Sequence, residues 1–247
     1  MGILDLLVGN NKKQSKLKDE RKPECPYCHQ PLSKIPDRKT KCPYCGKFMF
    51  VRIHPKDNIR VVVTKEEADK IDKEWAIISG THDEYITEKE EIEKEREILR
   101  RRFGKEPSEN DVKWGVLNKQ LIRHAQRGNW GLYRNTRFTM AELLRKEMKL
   151  KQALQAYLEV CYLDLNGPNN TGGNDPELLK EFPPFDPNRN SFLAPGVIDL
   201  IQRIIKKLNI DKDEVKKIFI EHNSRIEKSL KLPLSTEDAW QSLEKKI

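Results

Sequence analysis

Two Cys-x-x-Cys pairs constrain the fold of this 247-residue chain more than any other feature. The first pair is Cys25 and Cys28, and the second, after thirteen intervening residues, is Cys42 and Cys45. Each pair offers two thiolates from one tight turn, and four thiolates complete a tetrahedral shell that leaves no position for water or substrate. The spacing therefore predicts one structural zinc ion held by these four cysteines.

Disulfides or free thiols are the alternative use of the same cysteines. The apolar start of the chain, from Met1 to Val8, is too short for the apolar core of a signal peptide, so we expect no secretion. A reducing compartment keeps thiols available for metal, which favours zinc and a cytoplasmic location. The fifth cysteine, Cys161, lies on an apolar helical face and is expected to be a core residue.

The two pairs stand in the sequences CPYC at residues 25–28 and CPYCG at residues 42–46, and they resemble the two knuckles of a zinc ribbon. The resemblance covers roughly residues 23–64. It departs from the usual pattern at His29, which occupies the position where glycine often follows the second cysteine. The resemblance implies a four-cysteine zinc site, a small β-hairpin fold and binding to nucleic acid or to another protein, and it implies no reaction.

The chain after residue 64 has the periodicity of helices. Thr64 followed by Glu67 is a capping box, and Ser108, Asp211 and Ser235 each precede a helical pattern as predicted N-caps. We predict a mainly α protein in which a small N-terminal β zinc ribbon is followed by an irregular multi-helix domain. The predicted segments are an apolar start and basic arm (1–22), the ribbon (23–64), a helical domain (65–165), a long loop (166–195) and a C-terminal helical sub-bundle (196–247).

One helix pair within this domain resembles a tetratricopeptide repeat, over roughly residues 134–167. The resemblance rests on the small residues Ala141 and Ala153, followed by Tyr157 and Val160. Small residues let two antiparallel helices approach closely. No second repeat follows at that period, so other helices must cover the pair, and no family resembles the chain as a whole.

The positive charge of the chain is concentrated near its N-terminus. Asn10 to Arg60 contains fourteen Lys and Arg against five Asp and Glu, whereas residues 61–247 contain thirty-three of each sign. A basic segment suits a polyanionic partner, and aromatic side chains among the lysines can stack on bases. The predicted nucleic-acid contacts are Lys12, Lys13, Lys16, Arg38, Lys39, Lys41, Lys47 and Arg52, with Tyr27, Tyr44, Phe48 and Phe50 available for stacking.

Two further stretches have less direct interpretations. Four arginines between residues 123 and 137 lie among aromatic residues, and there we favour core aromatics with solvated arginines over a second basic surface.

The loop at 166–195 carries three phenylalanines, which predict that it packs over the helical domain rather than being disordered.

The sequence favours a non-enzymatic binding protein. Its histidines are scattered, and it has no His-Glu-x-x-His or Gly-x-Ser-x-Gly motif, so we expect neither a catalytic site nor a small-molecule substrate. It also has no apolar run of the length needed to cross a membrane. We predict binding to nucleic acid through the basic arm and ribbon. The alternative is a protein–protein adaptor that uses the ribbon and the helical domain without contacting nucleic acid.

Overall fold

A computed structural model describes residues 23–173 and 175–247. The predicted basic arm, with Lys12, Lys13 and Lys16, lies outside these residues. Two compact units are present, one ending at Lys94 and the other formed by Glu95–Ile247. The described part holds a three-stranded sheet followed by ten helices, which confirms the prediction of a mainly α protein with a small β module near its N-terminus. None of the helices in these ranges combines the length and apolar character that a membrane crossing requires.

The sheet of the first unit is antiparallel, with the strand order β1-β2-β3. Its register places Thr40 opposite Met49 and Val51 opposite Val62. The strands are β1 (Thr40–Lys41), β2 (Phe48–Ile53) and β3 (Arg60–Val63).

Helix α1 (Lys65–Ile78) follows β3 directly and packs on β2. The Thr64 hydroxyl accepts from the Glu67 amide and the Glu67 carboxylate accepts from the Thr64 amide, so the predicted capping box is confirmed. Arg52 donates two hydrogen bonds to Asp72 at 2.7 and 2.9 Å. Trp75 donates its indole N–H to the carbonyl at the end of β2 at 2.7 Å. These side chains attach α1 to the sheet.

The remaining helices follow in chain order. The segment predicted as a long loop, 166–195, contains the short helices α6 and α7. The nine helices are α2 (His82–Phe103), α3 (Glu109–Gln126), α4 (Trp130–Lys146), α5 (Leu150–Leu165), α6 (Pro176–Glu181), α7 (Pro187–Asn190), α8 (Pro195–Leu208), α9 (Lys212–Leu230) and α10 (Thr236–Leu243).

Helix α5 is the centre of the second unit. Every residue from Ala156 to Leu165 is buried, and α4, α7, α8, α9 and α10 all pack against this helix. Cys161 is 1% exposed, and burial raises the pKa of its thiol, so the prediction of a core cysteine is confirmed. Ala141 and Ala153 are fully buried where α4 packs on α5. The two helices occupy the predicted positions of the pair, and their membership of a repeat family stays a prediction.

Two arginines of α4 reach acidic groups of α5. Arg134 binds both carboxylate oxygens of Asp164 at 2.6 Å, and Arg137 binds Glu159 at 2.7 Å. His222 of α9 also hydrogen-bonds Glu159, at 2.8 Å. The expectation of solvated arginines is therefore wrong for Arg134 and Arg137, which bind two acidic groups of the buried helix, whereas Arg127 is exposed as expected. The neighbouring aromatics do pack against the core, as expected.

The loop after α5 caps the N-terminus of α4. The amides of Trp130 and Gly131 donate to the Asn169 carbonyl at 2.8 and 3.2 Å, and the Leu132 amide donates to Asn170 Oδ1 at 3.0 Å. These bonds satisfy donors that a helix N-terminus leaves unpaired. A Cβ at position 131 would stand 3.0 Å from the Asn170 side chain, so any larger residue there would require Asn170 to shift. The loop thus packs on the helical unit, as predicted.

Candidate metal centre

The two Cys-Pro-Tyr-Cys turns share one backbone geometry. The His29 amide donates to the Cys25 carbonyl at 2.9 Å, and the Gly46 amide donates to the Cys42 carbonyl at 3.0 Å. In both turns the amide of the first cysteine donates to the carbonyl five residues later, at 2.9 Å. Each turn therefore presents its two thiols from the same rigid loop.

This geometry requires a left-handed residue after the second cysteine. His29 has φ 56° and Gly46 has φ 72°. Glycine adopts this conformation without steric cost, whereas other residues pay about 1–2 kcal/mol. The departure of the sequence from the usual knuckle pattern therefore leaves the turn intact but adds backbone strain at His29.

The four sulfur atoms stand at the spacing of a tetrahedral metal site. The Sγ atoms of Cys25 and Cys45 are 3.8 Å apart, as are those of Cys28 and Cys42, and all four lie within 4.8 Å of one another. A regular tetrahedron with metal–sulfur bonds of about 2.3 Å has edges of about 3.8 Å, whereas a disulfide needs about 2.05 Å. None of the four cysteines is in a disulfide, and the Sγ pairs stand at nearly twice the disulfide length, which disagrees with the disulfide alternative.

The inner side of the cluster is buried against the sheet. Cys25 and Cys42 are 0% and 2% exposed, and Met49 of β2, 1% exposed, packs with them. The Tyr44 amide donates to Cys42 Sγ at 3.4 Å. Amide donors to sulfur stabilise a thiolate, which is the form that binds metal.

Two of the four thiols have shifted pKa values. Burial opposes ionisation of Cys42, but amides of the second turn and neighbouring thiols outweigh it and lower the pKa of Cys42 to about 7. The Gln30 backbone lowers the pKa of Cys28, but burial and hydrogen bonds with the other three thiols raise it to about 12. The Cys42 thiolate therefore forms readily, whereas ionisation of Cys28 is opposed. A divalent cation overcomes this opposition by replacing the proton.

The predicted nucleic-acid contacts fall into two groups in the described part of the chain. Arg38, Lys39, Lys41 and Lys47 are exposed, and none of them has a carboxylate partner among residues 23–173 and 175–247. Arg52 differs, because its guanidinium is bound to Asp72. The structure thus brings four of the predicted cations to the surface of the β module and uses the fifth to hold α1.

Aromatic rings lie beside these lysines. Lys39 Nζ is 4.6 Å from the ring centroid of Phe48 and 4.8 Å from that of Phe50, and Lys41 Nζ is 5.2 Å from that of Phe48. Phe48 is 47% exposed and Phe50 is partly buried. Of the two knuckle tyrosines, Tyr44 is exposed, while Tyr27 packs against the cluster.

Two residues of this site were not identified from the sequence. Met49 lies beneath the cysteines, and the alternation of a strand could have placed it there, because its neighbours Phe48 and Phe50 point to the opposite face. No local sequence pattern identifies Asp72 as the partner of Arg52, because it lies twenty residues away on a different element.

Comparison of the chain with protein-family models, curated proteins and solved structures gave no significant match. The assignment therefore rests on the geometry of the site itself. Four cysteines in a small β module are positioned to bind a metal ion.

Proposed function

We propose that the chain is a zinc-ribbon protein that holds one structural Zn²⁺ and binds nucleic acid through the ribbon surface. Four thiolates in a tetrahedron suit zinc or iron among the common metals, and zinc needs no redox chemistry to remain in place. The ion would close the two knuckles on one another and fix the strands that follow them.

Metal analysis of the purified protein tests the choice of ion. We expect one zinc per chain and no iron. Cys42→Ser removes a buried ligand and should abolish the bound zinc, whereas Cys161→Ser alters a thiol far along the chain and should leave it. Iron, or retention of zinc by Cys42→Ser, would contradict the assignment.

The nucleic-acid proposal is carried by one observation: six exposed cations of residues 23–64, the four predicted contacts together with Lys34 and Lys56, lack carboxylate partners within the described residues. Two other cations of the module are paired, Arg52 with Asp72 and Arg60 with Asp37. Counted over residues 23–64, Lys and Arg number eight and Asp and Glu three. A zinc bound by four thiolates carries a charge of about −2, so the loaded module remains positive. An unpaired positive surface attracts a polyanion.

A salt series tests the proposal. The zinc-loaded protein is titrated into labelled single- and double-stranded DNA and RNA at several salt concentrations. Each phosphate contact contributes about 0.9 to the slope of log K against log[salt] on duplex DNA and about 0.7 on a single strand. Replacing Lys39, Lys41 and Lys47 by Gln should weaken binding and flatten the slope by about 2.7 on duplex DNA and by about 2.1 on a single strand.

A charge-matched control separates local contacts from net charge. Lys151, Lys206 and Lys207 are exposed residues of the helical unit, and their replacement by Gln removes the same charge. We expect this control to bind as the native protein does. Equal weakening of the two triple variants, or no binding at about 50 mM salt, would refute the proposal.

The second candidate function is a protein–protein adaptor. Three isoleucines of the first unit are exposed, namely Ile53, Ile77 and Ile78, at 41%, 56% and 63%. Exposed apolar side chains favour association with another protein surface, and such association resists salt. Partner capture that survives 0.5 M salt and is lost in Ile77→Asp/Ile78→Asp, in a protein that binds no nucleic acid, would favour the adaptor.

The proposal assigns no reaction to the chain, since four sulfur ligands leave the metal no open position for a substrate. We place this function in the cytoplasm, because a reducing compartment keeps the knuckle thiols able to bind metal. A reporter fusion imaged in intact cells tests that location.

A further inference from the structure

We infer that the face of the sheet formed by Phe48, Phe50, Lys39 and Lys41 is a stacking site for one base of a single-stranded nucleic acid. The inference rests on the proposed function and specifies its ligand. A nucleotide combines a flat π-system with an adjacent phosphate. The sheet face offers a partner for each, an exposed phenyl ring and two ammonium groups.

The register of the sheet brings the four side chains together. Lys41 is paired with Phe48 across β1 and β2. Residues alternate between faces along a strand, so Phe48 and Phe50 share one face while Met49 turns to the cysteine cluster. The Lys39 ammonium lies within 5 Å of both ring centroids, which agrees with that placement. The stacking face is therefore on the side of β2 opposite to Met49.

Among the described residues, one end of this face is open and the other is closed. Arg52 follows Phe50 by two residues and is held by Asp72 of α1, so the helix closes that end of β2. Phe48 lies at the other end and has 47% of its surface exposed. One ring is thus available to a ligand, which gives room for one stacked base rather than for a row of them.

The charges beside the ring favour an anionic ligand. Both ammonium groups lie within about 5 Å of the Phe48 centroid, hence within about 10 Å of one another. No carboxylate among the described residues neutralises either of them. The acidic groups of residues 23–64 lie near other side chains: Asp37 near Arg60, Glu24 near His29, and Asp57 near His54. A phosphate between the two lysines would relieve their mutual repulsion.

Stacking selects single strands over duplexes. In a duplex the faces of the bases are covered by neighbouring bases, whereas an unpaired base can lie on an aromatic ring. The phosphates of both forms attract lysine, so charge alone does not discriminate between them. Preference for single strands should therefore depend on the Phe48 ring, and overall affinity on Lys39 and Lys41.

Fluorescence anisotropy with labelled twelve-nucleotide oligo(dT), oligo(U) and a blunt-ended duplex of two strands tests the inference on the full-length, zinc-loaded protein. Phe48→Leu should weaken binding to both single strands about tenfold, leave binding to the duplex unchanged and leave the salt slope unchanged. Phe48→Trp should restore single-strand affinity. Lys39→Gln/Lys41→Gln should weaken all ligands and flatten the single-strand slope by about 1.4.

Phe103→Leu is the matched control. Phe103 is also an exposed phenylalanine, at 58%, with a cation, Arg102, 5.5 Å from its ring, but it lies at the end of α2. We expect this variant to bind as the native protein does. The cobalt-loaded absorption spectrum of each variant verifies that the knuckles remain folded.

The outcomes separate the inference from the function on which it rests. Salt-sensitive binding with no preference for single strands, or native affinity in Phe48→Leu, would overturn the stacking site and leave the proposed function standing. Equal weakening by Phe103→Leu would also overturn it. Absence of binding to every oligonucleotide at 50 mM salt would overturn both.

Discussion

Exchanging the residues that follow the two knuckles should change zinc affinity in opposite directions. His29 and Gly46 occupy equivalent positions, with φ 56° and 72°, and each donates its amide to the first cysteine of its turn. The two turns differ mainly in that one carries a side chain in a left-handed conformation. They therefore form an internal comparison within a single protein.

The size of the expected change in zinc affinity follows from the cost of the left-handed backbone conformation. A non-glycine residue in this conformation costs about 1–2 kcal/mol, and glycine recovers that cost but adds about 0.4–1 kcal/mol of unfolded-state entropy. The His29 side chain faces Glu24 at 3.5 Å and is largely exposed, so losing that contact matters little. The net gain for His29→Gly is about 0.5–1 kcal/mol. Because metal binding and folding of such a module are coupled, zinc affinity should rise about two- to fivefold.

The reciprocal change should weaken binding by a similar factor. No atom lies within 4 Å of a Cβ built at Gly46, so Gly46→His meets no steric barrier and pays only for its backbone. The double exchange, His29→Gly/Gly46→His, should return to near-native affinity, since the two turns contribute independently.

Competition with a chromophoric chelator in reducing buffer at pH 7.4 gives these affinities. Weaker zinc binding by His29→Gly, or unchanged binding by Gly46→His, would refute the argument that backbone strain distinguishes the two turns. A double exchange much weaker than either single variant would show that the side chains themselves contribute.

Three other perturbations have defined outcomes. Arg137→Ala removes the guanidinium from the buried carboxylate of Glu159 and leaves the hydrogen bond with His222, so the free energy of unfolding in urea should fall by about 3 kcal/mol, the lower end of the range for a broken buried pair. Lys94→Ala, at an exposed pair, should change it by less than about 0.5 kcal/mol, and a similar loss in both would contradict this. Burial raises the pKa of Glu142, but hydrogen bonds from Arg145 and a tyrosine of α5 outweigh it, and the pKa lies below its usual value. The contribution of Glu142 to stability is therefore present above its unfolded pKa of about 4.3 and is lost as pH falls through its lower folded pKa. In Glu142→Gln, the free energy of unfolding in urea should therefore decline less steeply from about pH 5 downward. Chelation of the metal should abolish amide protection in the three strands and leave the helical circular dichroism of the second unit, as hydrogen exchange and circular dichroism would report.

Features encoded within a few residues were predictable from the sequence. Thr64, Ser108, Asp211 and Ser235 each accept an amide hydrogen bond at the start of a helix, as predicted. The same holds for the knuckles, whose turns are fixed by residues one to five positions apart. Local hydrogen bonding of this kind needs no knowledge of the tertiary structure.

Pairings across larger separations were not predictable. Arg137 finds Glu159 twenty-two residues away, and the amides at the start of α4 are capped by Asn169 and Asn170, nearly forty residues later. Both depend on which helix face meets which neighbour, and that is decided by packing around α5. The periodicity of α4 identifies its apolar positions but not the acidic groups that its arginines will meet.

The number of basic residues in a segment overstates how many of them are free to bind a ligand. From the sequence, Lys39, Lys41 and Arg52 contribute equally to the basic character of the ribbon. In the structure Asp72 binds Arg52 through two hydrogen bonds, while Lys39 and Lys41 remain beside an exposed phenyl ring. Breaking the Arg52–Asp72 pair to engage a phosphate would leave an unpaired carboxylate in the middle of α1, so a ligand gains little there. The unpaired lysines offer the same attraction without that loss, so the binding surface should lie at the Phe48 end of β2.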